Sequence, residues 1–143
     1  MSDSKILFRL KQDDDGYPPV SYESVWAAQQ GTHYQIDNIP FFTREATCDD
    51  VVEATVVDGE LWFVRVVQYS RSSLLRAVYF DGTDQAAVRA ELERLGCSTE
   101  WAQQFRLIAI SVPNDVAIEP VLEYLKREEE QGRLSYEEAV IWY

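Results

Sequence analysis

His33 is the single histidine of the chain, so any Ser–His–Asp or Cys–His arrangement must pass through it, and a multi-histidine metal centre is excluded. Cys48 and Cys97 stand far apart, without metal-type spacing. Nothing around either resembles the helix start or glycine-rich elbow that activates a nucleophile. Asp13-Asp14-Asp15 and Asp49-Asp50 could offer hard oxygen ligands. The alternating positions and distant glutamate of a calcium loop are nevertheless missing. The six glycines are dispersed over turns and element ends, and none forms a phosphate-cradling loop. These patterns lead us to expect no catalytic residue, no metal site and no cofactor.

Binding chemistry is better supplied. The chain holds 25 acidic against 13 basic residues, a net charge of −12. That field repels phosphate and anionic lipid, so neither nucleic acid nor membrane is the expected partner. A basic protein would be attracted and steered. Four Trp, eight Tyr and six Phe exceed what a core of this size requires, and Trp and Tyr dominate interface hot spots. Tyr17, Trp142 and Tyr143 are the aromatics expected to be exposed, one in a turn and two at the terminus. The expectation is a non-enzymatic acidic binding protein, of immunity or antitoxin type, that occludes a basic toxin domain. Its candidate contacts are Asp13, Asp14, Asp15, Tyr17, Asp49, Asp50 and Glu53. The alternative is a small enzyme or ligand-binding domain with a carboxylate-lined pocket near Glu23, His33 and Asp37, beside Trp26.

The elements that would position these residues follow from hydrophobic periodicity. Lys5 to Leu10 reads as a first strand. The Asp13–Pro19 segment breaks it as a surface turn. Tyr22 to Ala28 fits either a strand or one or two helical turns, and Tyr34 to Ile39 alternates as a strand. Val51–Val57 and Leu61–Tyr69 are β-branched and aromatic, and Asp58-Gly59 between them predicts a tight hairpin. Leu74 to Phe80 is expected as a third strand of the same meander. The period then changes. Thr83 or Asp84 can cap a helix running to Leu95, with Val88, Leu92 and Leu95 on one face. A strand falls within Phe105–Val112. Pro113-Asn114-Asp115 is expected to cap a second helix with the stripe Ile118, Val121, Leu122, Leu125. Glu137 to Tyr143 is a last strand or extension.

The expected fold is therefore α+β: an antiparallel meander in the first half and a β-α-β-α-β second half, as a single domain over residues 1–143. A chain of 143 residues can bury about two thirds of its unfolded surface without staples. No apolar run approaches the ~20 residues that span a bilayer. The segment Met1-Ser2-Asp3-Ser4-Lys5 lacks the basic and apolar regions of a secretory signal. A cytoplasmic location with reduced thiols is the matching expectation.

Several segments together resemble a bacterial family catalogued only as domain of unknown function 4265. They are Asp15-Gly16-Tyr17-Pro18-Pro19 followed by Glu23, Trp26, Ala27 and Gly31; Tyr34 with Ile36-Asp37-Asn38-Ile39-Pro40-Phe41-Phe42; Asp50-Val51-Val52; and Gly132 with Tyr136-Glu137-Glu138-Ala139. The resemblance runs from about residue 5 to the end, and Asn38-Ile39-Pro40-Phe41 is its most specific part. The family favours a Ser-Gly turn and a Thr before the third strand, where this chain has Ser70-Arg71 and Leu74. The family name implies no activity, and small acidic proteins of this kind are associated with toxin neutralisation. The same motif can also be read as fold-defining: Pro18-Pro19 fixing an extended turn, Trp26 packing, and Asn38-Ile39-Pro40 ending a strand.

Overall fold

The computed structural model describes residues 3–142; Met1, Ser2 and Tyr143 lie outside the described residues. The chain divides into two compact units, Met1–Ser70 and Arg71–Tyr143, each with its own hydrophobic cluster.

The first unit is a five-stranded barrel: β1 (Ser4–Arg9), β2 (Tyr22–Gln30), β3 (His33–Ile36), β4 (Val51–Val57) and β5 (Glu60–Gln68). Neighbours in sequence pair antiparallel, and a short parallel pairing of β1 with β5, Ile6 opposite Leu61, closes the ring. Closure removes the free edges that an open five-stranded sheet would expose. Strand β2 alternates cleanly, with Glu23, Val25 and Ala27 inward and Tyr22, Ser24 and Trp26 outward. Ile6, Phe8, Val25, Ala27, Ile36, Ala46 and Val52 fill the interior, and Phe63 stacks on Phe8 at 4.5 Å between centroids. The β4–β5 turn has positive φ at both Asp58 (52°) and Gly59 (81°), the conformation that Asp-Gly favours in a two-residue hairpin. Trp26 occupies the outward phase of β2 and is 44% exposed, with Lys5 over its ring, while small Ala27 takes the inward place beside it.

The second unit runs β6 (Ser73–Tyr79), α1 (Gln85–Arg94), β7 (Ser98–Ala102), a short 3-10 turn, β8 (Leu107–Val112), α2 (Glu119–Glu130) and β9 (Leu134–Val140). Its sheet has the order β7-β8-β6-β9, all antiparallel, which is the split β-α-β arrangement. Both helices bury their apolar residues, Val88 and Leu92 from α1 and Val121 and Leu125 from α2, against Leu75, Ala77, Ile108 and Ile110 of the central strands. At about 25 cal/mol per Å² of apolar area removed from water, this cluster is the unit's main source of stability. Gly96 follows α1 at φ +103°, and a Cβ there would meet Val116 at 3.0 Å, so the position favours glycine on two counts. Among the described residues, no helix is long and apolar enough to cross a membrane.

Several placements differ from expectation: β3 ends at Ile36 rather than Ile39, β9 spans Leu134–Val140 rather than starting at Glu137, and three larger differences follow. The strand at Leu74 does not extend the meander; it sits centrally in the second sheet, after a break in which Arg71 has φ +63°. Strand β7 was not expected because Ser98-Thr99-Glu100-Trp101-Ala102 is an edge strand with little apolar content. Helix α2 begins at Glu119 rather than after Asp115. Pro113 to Val116 closes a turn instead (Val116 N to Pro113 O, 3.0 Å), and Pro120 occupies the first helical turn, where its missing N–H costs nothing.

Both cysteines are thiols, outside any disulfide. Burial pushes the Cys97 thiol up to about 11, whereas Cys48 is half-buried in the barrel unit. Since only the thiolate attacks, Ellman's reagent at pH 8 is expected to titrate Cys48 in the native protein and Cys97 only after unfolding. Equal, rapid reaction of both would contradict this packing of Cys97.

Candidate functional site

The barrel unit contains every residue expected at a site from sequence except Trp142 and Tyr143. Its organising feature is the chain from 37 to 50, which links β3 to β4 without regular structure. Carboxylates hold this loop at both ends. Glu23 points inward from β2 and accepts three consecutive backbone amides, Phe41 N at 2.6 Å, Phe42 N at 3.0 Å and Thr43 N at 2.8 Å. Asp50, 2% exposed, accepts Thr47 N at 2.9 Å and Ser70 N at 2.8 Å. Asn38 adds a third tie, its Oδ1 accepting Trp26 N at 3.1 Å. Buried amides without acceptors are costly, so these side chains do for the loop what a sheet ladder does for a strand.

The pocket expected near Glu23, His33 and Asp37 does not assemble in this geometry. Glu23 lies at one end of β2 on the inner face with its oxygens committed to the loop. His33 pairs opposite Gln30 at the other end, about 20 Å along the strand. Asp37 stays near Trp26, where its backbone N–H donates to Trp26 O at 2.9 Å.

The seven candidate contacts separate by environment. Asp13 Oδ1 accepts the backbone N–H of both Asp15 and Tyr17 at 2.9 Å, a side-chain-mediated turn. That turn leaves Asp14 and Asp15 exposed and without an ion pair among the described residues. Tyr17 is 49% exposed, and its ring meets the edge of Phe42 at 6.2 Å, which seats the turn against the loop held by Glu23. Glu53 is neutralised by Arg65 at 2.8 Å. Asp50 is removed from the surface altogether, because its carboxylate is the loop's internal acceptor. Asp49 remains exposed, at φ +70°. In the second unit, Trp142 is half-buried; its backbone N–H donates to Ser73 Oγ at 2.8 Å, and Arg71 lies over its ring.

Partial burial, and then the nearby carboxylates of Asp37 and Asp50, push the Asp49 carboxyl above its ordinary 3.8. With the folded value raised, the folded state holds its proton more tightly, and stability falls as pH rises through that region. Asp49→Asn is therefore expected to stabilise the protein at neutral pH by up to about 0.5 kcal/mol, given screening at an exposed site. Asparagine also tolerates the positive φ. The gain should vanish below pH 3.8 in urea titrations; a gain independent of pH would remove the electrostatic explanation.

Fold and site together define a small barrel whose buried acids brace a loop and whose exposed acids crowd its turns. The chain belongs to the family described as a domain of unknown function, DUF4265, whose model matches residues 23–136. The match opens on Glu23 and includes Asn38 and Asp50, all three used in loop bracing. The fold is similar to the crystal structure of a hypothetical protein from Neisseria gonorrhoeae, with a TM-score of 0.81 at 20% identity, covering 100% of this chain and 97% of that one. No curated protein matches the sequence.

Sequence reasoning missed the role of Glu23. The available signal was its phase: in Glu23-Ser24-Val25-Trp26-Ala27 the glutamate falls on the inward register with Val25 and Ala27, and a charge there requires internal donors.

Proposed function

We propose that this chain is a non-enzymatic acidic binding protein of the cytoplasm, of immunity or antitoxin type, that occludes a basic partner domain. The observation that carries this reading is the Asp13–Tyr17 turn. Asp13 fixes its backbone, and the turn presents two uncompensated carboxylates beside a half-exposed tyrosine backed by Phe42. A contact already ordered in the free protein loses less entropy on binding. Net charge of −12 adds long-range attraction for a cationic surface. Asp14, Asp15 and Tyr17 are the contacts, and Asp49 is a further exposed acid of the same unit. The partner's own polyanionic substrate would then meet a cleft already filled by carboxylates.

The test is co-purification at low salt with the product of the neighbouring gene, followed by calorimetric titration. Wild type is expected to bind, and the double variant Asp14→Lys with Asp15→Lys to bind at least tenfold more weakly. A neighbouring product that is no toxin, or no association at low salt, defeats the reading.

A further inference from the structure

Among the described residues, the sheet order β7-β8-β6-β9 gives β9 a neighbouring strand on one side only. Along an antiparallel edge strand, the backbone groups of alternate residues point away from the sheet. The phase is fixed at Tyr136. It lies opposite Ala77, yet its backbone N–H donates outward, to Glu129 Oε2 of α2 at 3.1 Å. Glu138, opposite Leu75, has the same phase. Past Glu138 the register with β6 shifts, so the regular edge is confined to residues 134–138.

This edge is acidic. Tyr136 packs against the cluster beneath the helices, so the side chains of its phase lie on the helix side of the sheet. Burial, and then the carboxylates of Glu129 and Glu138, push the Tyr136 hydroxyl above its ordinary 10, which places both acids around it. Nearby, Glu128 is paired with Arg133 and Glu137 with Arg76. Glu129, Glu130 and Glu138 are exposed and make no ion pair among the described residues. An edge strand is a template for a further strand, and here the charge selects which. A second copy of the chain would set Glu138 and Glu129 against their like, which opposes pairing. A cationic strand meets complementary charge.

We propose that the β9 edge takes up an extended segment of the basic partner protein as a further strand, with lysine or arginine at two alternate positions, opposite Tyr136 and Glu138. A carbonyl of the segment would accept the Tyr136 N–H in place of Glu129. The released Glu129 carboxylate would meet one cation, and Glu138 the other. Alternate positions put both cations on the helix side, about 7 Å apart, and turn the residue between them to the other face. The inference deepens the binding reading and rests on it only in taking the partner to be a basic protein.

The experiment measures fluorescence anisotropy of labelled threonine-rich peptides with the full chain. One peptide carries lysines two residues apart, an isomer carries them adjacent, and a third is the first peptide N-methylated at its pairing amides, with its charge intact. The alternate-lysine peptide is expected to bind at least tenfold more tightly than either of the others. Its affinity should fall at least tenfold with Glu138→Lys and severalfold with Glu129→Gln, whose amide oxygen can still accept the Tyr136 N–H. Asp115→Lys makes the same charge change as Glu138→Lys at an exposed site in the turn before α2, and should leave affinity within about twofold. Hydrogen exchange should show the Tyr136 and Glu138 amides gaining protection when peptide is bound, and circular dichroism melting of each variant separates lost binding from lost fold. Undiminished affinity for the N-methylated peptide, an equal effect of Asp115→Lys, self-association of the chain through β9, or no binding at all would each overturn the proposal. If the neighbouring gene product still associates through Asp14 and Asp15 while the peptides and Glu138→Lys change nothing, the edge inference fails and the broader reading stands. Peptide binding without association of that product would sink the broader reading and leave the edge.

Discussion

Glu23→Ala is expected to destabilise the protein by on the order of 3 kcal/mol, measured by urea unfolding. The substitution removes the acceptor of three backbone amides at once, and the half-buried to buried positions of Phe41, Phe42 and Thr43 give those amides few alternatives. Leaving a buried donor unsatisfied costs about 1–3 kcal/mol, and water recovers part of this at the rim. Glu23→Gln should fall between wild type and alanine. Its amide keeps one accepting oxygen, but its NH2 group would face donors. A loss within about 0.5 kcal/mol for the alanine variant would mean that the loop does not depend on this carboxylate.

Asp50→Ala is expected to cost about 2 kcal/mol by the same logic at the other end of the loop. Two amides lose their acceptor, Thr47 N and Ser70 N, and the carboxylate bridge between residues 47 and 70 goes with them. Ser70 Oγ still donates to Cys48 O at 2.8 Å and lies 3.4 Å from Thr47 Oγ1, so the end of the unit keeps these hydroxyl contacts without the carboxylate. Hydrogen exchange gives the sharper readout. Protection of the Thr47 and Ser70 amides should drop more than that of Val25 or Ile36, whose neighbourhood is the packed interior. Uniform loss of protection across the barrel would instead point to a global role for Asp50.

These two carboxylates show where sequence was legible and where it was not. The antiparallel pairing of β4 and β5, the Asp58-Gly59 turn and the Asp84 cap, whose Oδ1 accepts Ala87 N at 3.2 Å, are local, and local chemistry announced them. The helical stripes Val88–Leu92 and Val121–Leu125 were equally visible in their period. Barrel closure was not, because β1 and β5 pair across some 50 residues and neither strand's pattern names its partner. For the same reason the Leu74 strand, placed after a hairpin, gave no sign that it leaves for a second sheet. Among the site residues, Asp14, Asp15 and Tyr17 stay on the surface, where turn composition put them. Asp50 looked the same in sequence as Asp49, yet one is an internal acceptor and the other an exposed, crowded acid. Only the positions of Thr47 and Ser70 in space separate the two. The motif shared with the family, Glu23, Asn38 and Asp50 among it, is accounted for by the hydrogen bonds that hold the loop from 37 to 50.

Binding of a basic partner is tested most directly by stopped-flow association of the full chain with the neighbouring gene product over a range of salt concentrations. Electrostatic steering by the exposed acids should make the association rate fall steeply with ionic strength, because the Debye length shortens to about 8 Å near physiological salt. Asp14→Lys with Asp15→Lys should lower that rate about tenfold at low salt and flatten its salt dependence, while leaving the melting temperature unchanged. An association rate indifferent to both salt and the charge reversal would contradict an acidic binding surface at the Asp13–Tyr17 turn.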